Sequence, residues 1–348
     1  MVESQRRASN GDRASGGLRL AVPSDGEMYE PTLRFLAECG MPVVRPSARR
    51  YTAAIPAIDG LEVIFQRTAD ITAKVEDGNA DLGLVGFDRY QEGRIEGGDA
   101  LLIMPDLGFG ACELVVAVPD SWMDVDSMAD LADLAVEFRE SGRELRVATK
   151  YPRLVGRFLF GHGVNYFTMA AVSGTLEAAT AMGYADVIAD ITASGVTLRE
   201  NHLRRLGDGT VLASEGALVG NRALLKQHAD RLAIAREVIE RIEAHQSAAS
   251  YVRVTANVEG KSEEAVAAKV LDRPESAGLH GPTVARVYSP DGKTWYSVTV
   301  FVRKADLTAV VDHFRVVGGA SVTVSDADYV FGPESTAYAA LLRELGLD

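Results

Sequence analysis

The chain is short of cysteine, of positive charge and of long apolar runs, and each shortage closes off a class of function. Only two cysteines occur in 348 residues, Cys39 and Cys112. They lie far apart without ligand spacing, so they make neither a disulfide framework nor a cysteine-rich metal site. They read as buried thiols in a reducing, cytoplasmic compartment. Thirty-six Lys and Arg stand against 49 Asp and Glu, a formal net charge of −13. That balance argues against nucleic acid or an anionic membrane as partner, though a local basic pocket remains open. No apolar run approaches the ~20 residues of a membrane helix. Residues 1–17 hold Arg, Ser, Asn and Gly without an apolar core, so they read as a disordered tail and not as a secretory signal. The six histidines, His162, His202, His228, His245, His280 and His313, show no ligand spacing, and none receives a role.

What is present is an ordinary globular composition in a chain too long for one core, which predicts two or three domains. Apolar runs alternate with helical spacing up to about residue 246. Strands are expected at 18–22, 51–55, 61–65, 82–85, 100–104, 113–118 and 145–148, then 209–213 and 217–219. Helices are expected at 30–39, 68–76, 127–139 and, as one long element, 222–246. Asp70, Asp88, Ser127 and Ser262 stand where N-caps belong. This alternation predicts α/β architecture with mainly parallel sheets. From residue 251 the order becomes strand–helix–strand–strand–helix–strand, the ferredoxin-like pattern, with a boundary near 247–250.

The densest chemistry lies in 177–198. Val187, Ile188 and Ile191 make a buried strand with Asp190 at its C-terminal end. Ala193, Ser194, Gly195, Val196 and Thr197 then form a small-residue loop that opens a helix at Leu198. Such a loop converges backbone N–H groups and hydroxyls on one point and suits a phosphate, and the Asp190 carboxylate beside it suits a ribose diol or a metal; the pair reads as a 5-phosphoribosyl site. An ordinary strand-to-helix turn has a similar composition. The lack of a Walker lysine excludes an NTPase loop. Asp186 shares a strand face with Asp190 but sits ~13 Å away, so it reads as a turn residue. Glu177 can reach the loop only by tertiary folding. Arg67, after a strand, offers a charge for phosphate or nucleotide. Lys150 offers a point charge and Tyr151 a flat face for a purine; a surface lysine and an interface tyrosine fit the same positions.

Together these residues resemble the long form of the ATP phosphoribosyltransferase family, which performs the first step of histidine biosynthesis. The resemblance is carried by Arg67-Thr-Ala-Asp-Ile71, Ala80-Asp-Leu-Gly-Leu-Val-Gly-Phe-Asp88, Asp106-Leu-Gly-Phe-Gly-Ala-Cys-Glu-Leu114, Val147-Ala-Thr-Lys-Tyr-Pro152 and the stretch from Gly183 to Leu198. Gly278-Leu-His-Gly-Pro-Thr283 and Gly319-Ala-Ser-Val-Thr-Val324 extend it into the last domain.

It implies a two-lobed catalytic unit of the type II periplasmic-binding-protein kind, followed by a ferredoxin-like (ACT-like) regulatory domain. Lobe one would take 18–112 with about 201–250, lobe two 113–200, and the regulatory domain 251–348. The implied reaction joins N1 of ATP to phosphoribosyl pyrophosphate (PRPP) with Mg²⁺ and releases pyrophosphate. PRPP would meet Glu177, Asp190 and Ala193 to Thr197. ATP would meet Arg67, Asp88, Lys150 and Tyr151. No residue is implied as an acid or base, and the metal ligands stay open. Histidine as feedback inhibitor would lie near Thr283, Ala320 and Ser321, and the family forms homo-oligomers, dimers or hexamers. Where the family usually reads Lys-Gly-Arg-Leu, this chain reads Asp25-Gly26-Glu27-Met28. Two carboxylates thus stand where cations would face phosphate, which keeps open a second reading, a nucleotide- and PRPP-binding paralogue with weak or no turnover and a regulatory role.

Overall fold

The computed structural model describes residues 17–47, 49–170 and 176–348; the expected tail up to residue 16 lies outside them. The chain forms two compact units. One takes the chain up to Ala37, Met41–Glu237 and Ala340–Asp348, and the other takes Glu38–Gly40 and Val238–Ala339.

In the first unit the chain runs β1 (Leu18–Pro23), α1 (Tyr29–Glu38), β2 (Thr52–Ala54), β3 (Leu61–Gln66), α2 (Thr68–Glu76), β4 (Leu82–Gly86), α3 (Phe87–Gly93) and β5 (Ala100–Met104). It then crosses into β6 (Cys112–Pro119), α4 (Met128–Glu140), β7 (Leu145–Thr149), α5 (Pro152–Gly161), β8 (Phe167–Ala170), α6 (Ala178–Ala181), β9 (Val187–Thr192), α7 (Val196–Glu200) and β10 (Leu203–Ser214). It returns as β11 (Gly216–Asn221), α8 (Arg222–Gln227) and α9 (Ala229–Ala249), whose residues from Val238 on belong to the second unit. His228 breaks the expected 222–246 helix, where it is the C-cap of α8 in extended conformation.

The first sheet is ordered β2-β3-β1-β4-β11-β5 and the second β10-β6-β9-β7-β8. Setting aside the short edge strand β2, both follow one plan. A parallel trio is followed by an antiparallel strand delivered from the other sheet, β11 in the first and β6 in the second. This exchange is the type II periplasmic-binding-protein topology. The central strands are covered on both faces, which is why β4 and β11 read as unbroken small and apolar runs.

The two crossings are tied together. Leu107 N–H donates to Gly216 O at 2.9 Å, and Gly216 N–H donates to Phe109 O at 2.8 Å. Phe109 stacks on Phe35 at 4.7 Å. A Cβ on Gly216 would lie 2.5 Å from the Phe109 ring, so only glycine fits there.

The Ser127 cap is present as a full capping box with Asp130, and Ser262 accepts the Ala265 N–H. The other two expected caps are corrected. The N-cap of α2 is Arg67, with Asp70 inside the first turn. The N-cap of α3 is Gly86, and Asp88 turns inward. Both acids sit where a first-turn carboxylate is favourable in any case, which is why position alone misleads.

The second unit carries β12 (Tyr251–Glu259), α10 (Glu263–Leu271), β13 (Thr283–Val287), β14 (Trp295–Arg303), α11 (Leu307–Val316) and β15 (Gly319–Asp326); α12 (Thr336–Leu345) follows. Its antiparallel sheet is ordered β13-β14-β12-β15, the ferredoxin-like arrangement. Strict alternation buries Val252, Val254, Ala256 and Val258 against Val266, Val270, Val310 and Phe314 of the two helices. Among the described residues no helix is long and apolar enough to cross a membrane.

One ion pair is deeply buried in the first unit. Arg231 of α9 donates to Asp81 at 2.9 Å, with side-chain exposures of 6% and 2%. The other Asp81 oxygen accepts the Arg19 N–H at 2.8 Å. Asp81→Ala would strand the Arg231 charge without its partner. Urea unfolding should show a loss of about 3–5 kcal/mol, whereas Arg19→Ala, whose side chain pairs only at the surface with Glu62, should cost about 1 kcal/mol or less.

Candidate active site between the two sheets

The small-residue loop forms as its composition predicts. β9 ends at Thr192, whose hydroxyl accepts the Gly195 N–H at 2.9 Å. Gly195 takes a left-handed φ of 70° and stands at the N-cap of α7 without any side-chain cap. Ala193, Ser194, Val196 and Thr197 are exposed, and among the described residues the Arg199 guanidinium lies against the loop, donating to the Ser194 carbonyl at 3.5 Å. Thr192 and Ala193 line a cavity of about 400 Å³ together with Cys112, Glu113 and Ser214.

Asp190 lies one turn of strand earlier, 8% exposed, and one oxygen accepts the Ile191 N–H at 2.9 Å. Burial pushes its carboxyl above the usual range and Glu177 adds to this, while the Ile191 hydrogen bond, Lys150 and Arg89 pull the other way. Glu177, Lys150 and Arg89 therefore all stand within electrostatic reach of Asp190. Tertiary folding does bring Glu177, half-buried at the start of α6, to this neighbourhood.

Asp88, on α3 above the first sheet, is held by residues of the second sheet beside this cavity. It is 4% exposed. Ser214, at the end of β10, accepts the Asp88 N–H at 2.9 Å and donates its hydroxyl to one carboxylate oxygen at 2.8 Å. Tyr151, immediately before α5, donates its hydroxyl to the other oxygen at 2.5 Å. Burial, with Asp88 next, pushes the Tyr151 phenol far above its ordinary pKa, so it stays a donor. The Cys112 thiol is pushed up to about 11 by burial first and by Asp88 and Glu27, against the Ser214 hydrogen bond, and is a poor nucleophile. Its sensitivity to Glu27 also places the exposed turn after β1 near this cavity.

Tyr151 differs from expectation. It is fully buried, and the Arg89 guanidinium lies over its ring at 4.2 Å. No bare aromatic face is offered, because Arg89 already fills the stacking position. Lys150 is exposed, and its carbonyl accepts a 3.3 Å bond from Arg89. Arg67 is exposed at the start of α2. Asp186 is held by Arg146 and Arg143 at 3.0 and 3.1 Å, a structural clamp at the far end of β9. Thr283 lies on one edge strand of the C-terminal sheet and Ala320 and Ser321 on the other. Three strand spacings, ~14 Å, separate them, so one chain does not bring these three together.

Ser214, Arg89, Glu92 and Arg153 were missed by sequence reasoning. Only Arg89, one residue from Asp88, carried a local signal. Among the described residues no group of three His, Cys, Asp or Glu is placed to hold a metal.

Two sheets that exchange their fourth strands, with a small-residue loop facing a buried Asp–Tyr–Ser cluster and a ferredoxin-like domain behind them in sequence, define a two-lobed α/β ligand-binding unit with an appended module. The model of the ATP phosphoribosyltransferase family matches residues 67–244, and that of the family's C-terminal domain matches 248–328. ATP phosphoribosyltransferase 1, chloroplastic, of Arabidopsis thaliana is 37% identical over 336 residues, 95% of this chain and 81% of the relative. ATP phosphoribosyltransferase of Rhodopseudomonas palustris is 35% identical over 326 residues, 92% of this chain and 96% of the relative. A solved ATP phosphoribosyl transferase (HisG:HisZ) complex from Thermotoga maritima contains a chain 24% identical, covering 65% of this chain and 98% of that one, with a TM-score of 0.49. The chain belongs to the ATP phosphoribosyltransferase family.

The raised Asp190 carboxyl has a consequence for stability. The folded state holds its proton to a higher pH than the unfolded chain. Support for the fold is therefore full below the ordinary aspartate range near ~3.9 and is lost as pH rises through the raised value. Asp190→Asn, which cannot ionise, should raise the melting temperature of ligand-free protein at neutral pH. The gain should vanish on approach to pH ~4. An equal gain across the range would refute burial of the charge as its cause.

Proposed function

We propose that this chain joins ATP to PRPP, releasing pyrophosphate and forming N1-(phosphoribosyl)-ATP, the entry step of histidine biosynthesis. The observation that carries the reading is the juxtaposition of the exposed 193–197 loop with Asp190 and, beside the same cavity, the Asp88–Tyr151–Ser214 cluster. In this reading Ala193, Ser194, Gly195, Val196 and Thr197 anchor the 5-phosphate through backbone N–H groups and hydroxyls. Asp190 and Glu177 meet the ribose diol. Arg67, Asp88 and Lys150 meet the nucleotide, and Tyr151 acts through the orientation of Asp88. Lobe one, 18–112 with the return segment to about 250, and lobe two, 113–200, supply the two sides, and 251–348 supplies regulation. We further place the protein in the cytoplasm as a homo-oligomer.

The chemistry asks for placement more than for a strong base. The C1–N1 bond forms as the C1–O bond to pyrophosphate breaks, and positive charge spreads over the ribose C1 and ring oxygen. A buried carboxylate near that charge stabilises it, and the loop fixes the distance of approach. Magnesium, bound to pyrophosphate oxygens, would ease departure of that group.

Asp25 and Glu27 are exposed on the turn after β1, and the Glu27 charge reaches Cys112 at the cavity; in this reading they repel pyrophosphate and triphosphate. Purified protein with ATP, PRPP and Mg²⁺ should increase ultraviolet absorbance as phosphoribosyl-ATP forms. Asp25→Lys with Glu27→Arg should lower the KM for the anionic substrates by about tenfold, on the order of 1 kcal/mol per like-charge contact removed. No turnover in either protein would refute the catalytic reading and leave the binding paralogue.

Histidine should slow turnover and raise the melting temperature through the C-terminal domain. Thr283 on one edge and Ala320 with Ser321 on the other serve a single site only where two copies meet. Ala320→Leu should abolish both histidine effects while the KM values for ATP and PRPP stay unchanged. A histidine response that survives this change would place the inhibitor elsewhere.

A further inference from the structure

Helices α3 and α5 belong to different sheets, yet each finishes the other. Tyr151, the N-cap of α5, offers no side-chain cap, and Pro152 at the first helical position has no N–H to offer. The next two amides, of Arg153 and Leu154, are both taken by the Glu92 carboxylate of α3, at 2.9 Å each. In return the Arg153 guanidinium donates to the carbonyls of Gln91 and Arg94, the latter at 2.6 Å, at the C-terminal end of α3. The carboxylate thus sits at the positive end of one helix dipole and the guanidinium at the negative end of the other.

This exchange of caps borders the Asp88–Tyr151 hydrogen bond on both helices. Glu92 is one helical turn beyond Asp88, and Arg153 is two residues beyond Tyr151. Arg89, between them on α3, stacks on Tyr151 and holds the Lys150 carbonyl. The turn 149–152 therefore has its position set from α3 at three points, and only one of them, Asp88, belongs to the proposed nucleotide contacts.

We propose that Glu92 and Arg153 are positioning residues for ATP: they hold the Lys150–Tyr151 turn in register with Asp88, so the nucleotide meets a corner already built. This rests on the reading of Asp88, Lys150 and Tyr151 as the ATP side of the cleft. Pre-organisation of this kind lowers the ordering cost of binding most for the ligand that touches the corner, and least for one held by the 193–197 loop, whose own hydrogen bonds come from β9 and α7.

Calorimetric titration of the full-length protein with ATP and, separately, with PRPP tests it, on Glu92→Ala, Glu92→Gln, Arg153→Ala, the Glu92→Ala/Arg153→Ala double variant and Asp88→Asn. Each single alanine variant should weaken ATP roughly fivefold, the loss of about one cap, and leave PRPP within about twofold. The double variant should be no weaker than the weaker single, since both cut one interface. Glu92→Gln, whose amide oxygen still accepts an N–H, should recover part of the affinity. Equal weakening of both ligands, no weakening of either, or additive losses in the double variant would overturn the positioning role. If Asp88→Asn weakens ATP and Glu92→Ala does not, the positioning role falls and the ATP side of the cleft stands. If Asp88→Asn leaves ATP unchanged, the nucleotide binds elsewhere and both readings fall.

Discussion

The Asp88 carboxylate is buried, and a buried carboxylate is tolerable only when hydrogen bonds replace the water it has lost. Its partners come from distant parts of the chain, Tyr151 from 63 residues away and Ser214 from 126. Both belong to segments that build the second sheet, whereas Asp88 rides on α3 above the first. Satisfying one charge therefore fixes how two sheets face each other along one wall of the cleft. The tied crossings at Leu107–Phe109 and Gly216 and the caps exchanged by Glu92 and Arg153 follow the same geometry.

The cleft that results has an electrostatic tension suited to anionic ligands. Asp106, Glu113 and Glu215 line the cavity beside the loop, and Asp25 and Glu27 stand exposed in the turn after β1. The cations in the region are largely engaged: Arg89 stacks on Tyr151, Arg205 pairs with Glu113 at 2.8 Å, and Arg199 donates to the Ser194 carbonyl, while Lys150 is exposed. In the proposed reading, a phosphate in such surroundings is held by oriented N–H groups more than by side-chain charge, and an exposed loop with a left-handed glycine offers such groups.

Much of the fold was legible because it rests on local periodicity. Apolar runs marked the central strands, Ser127 and Ser262 marked their helices, and the strand–helix order after residue 251 gave the ferredoxin-like sheet. The loop after β9 and the placement of Asp190 at its entrance were legible for the same reason. Failures came where a local rule had two solutions. Asp88 and Asp70 suited a helix start as caps or as first-turn acids, and the structure uses the second. Tyr151 suited an open stacking face or a buried anchor, and Arg89 over its ring makes it the anchor. Thr283 and the Ala320–Ser321 pair were grouped by resemblance, yet strand order puts them on opposite edges.

By itself the sequence determined the elements, the two α/β sheets with their appended domain, the loop and the carboxylate at its mouth, since these depend on contacts between residues a few positions apart. Only the tertiary structure decided that Ser214 and Tyr151 share Asp88, that Glu92 caps α5, that Arg153 finishes α3, and that Glu177 comes near Asp190. Those pairings join groups with no periodic relation in the chain. They are fixed by the cost of leaving a buried carboxylate or a helix end without partners, and that cost becomes visible only once the two sheets have met.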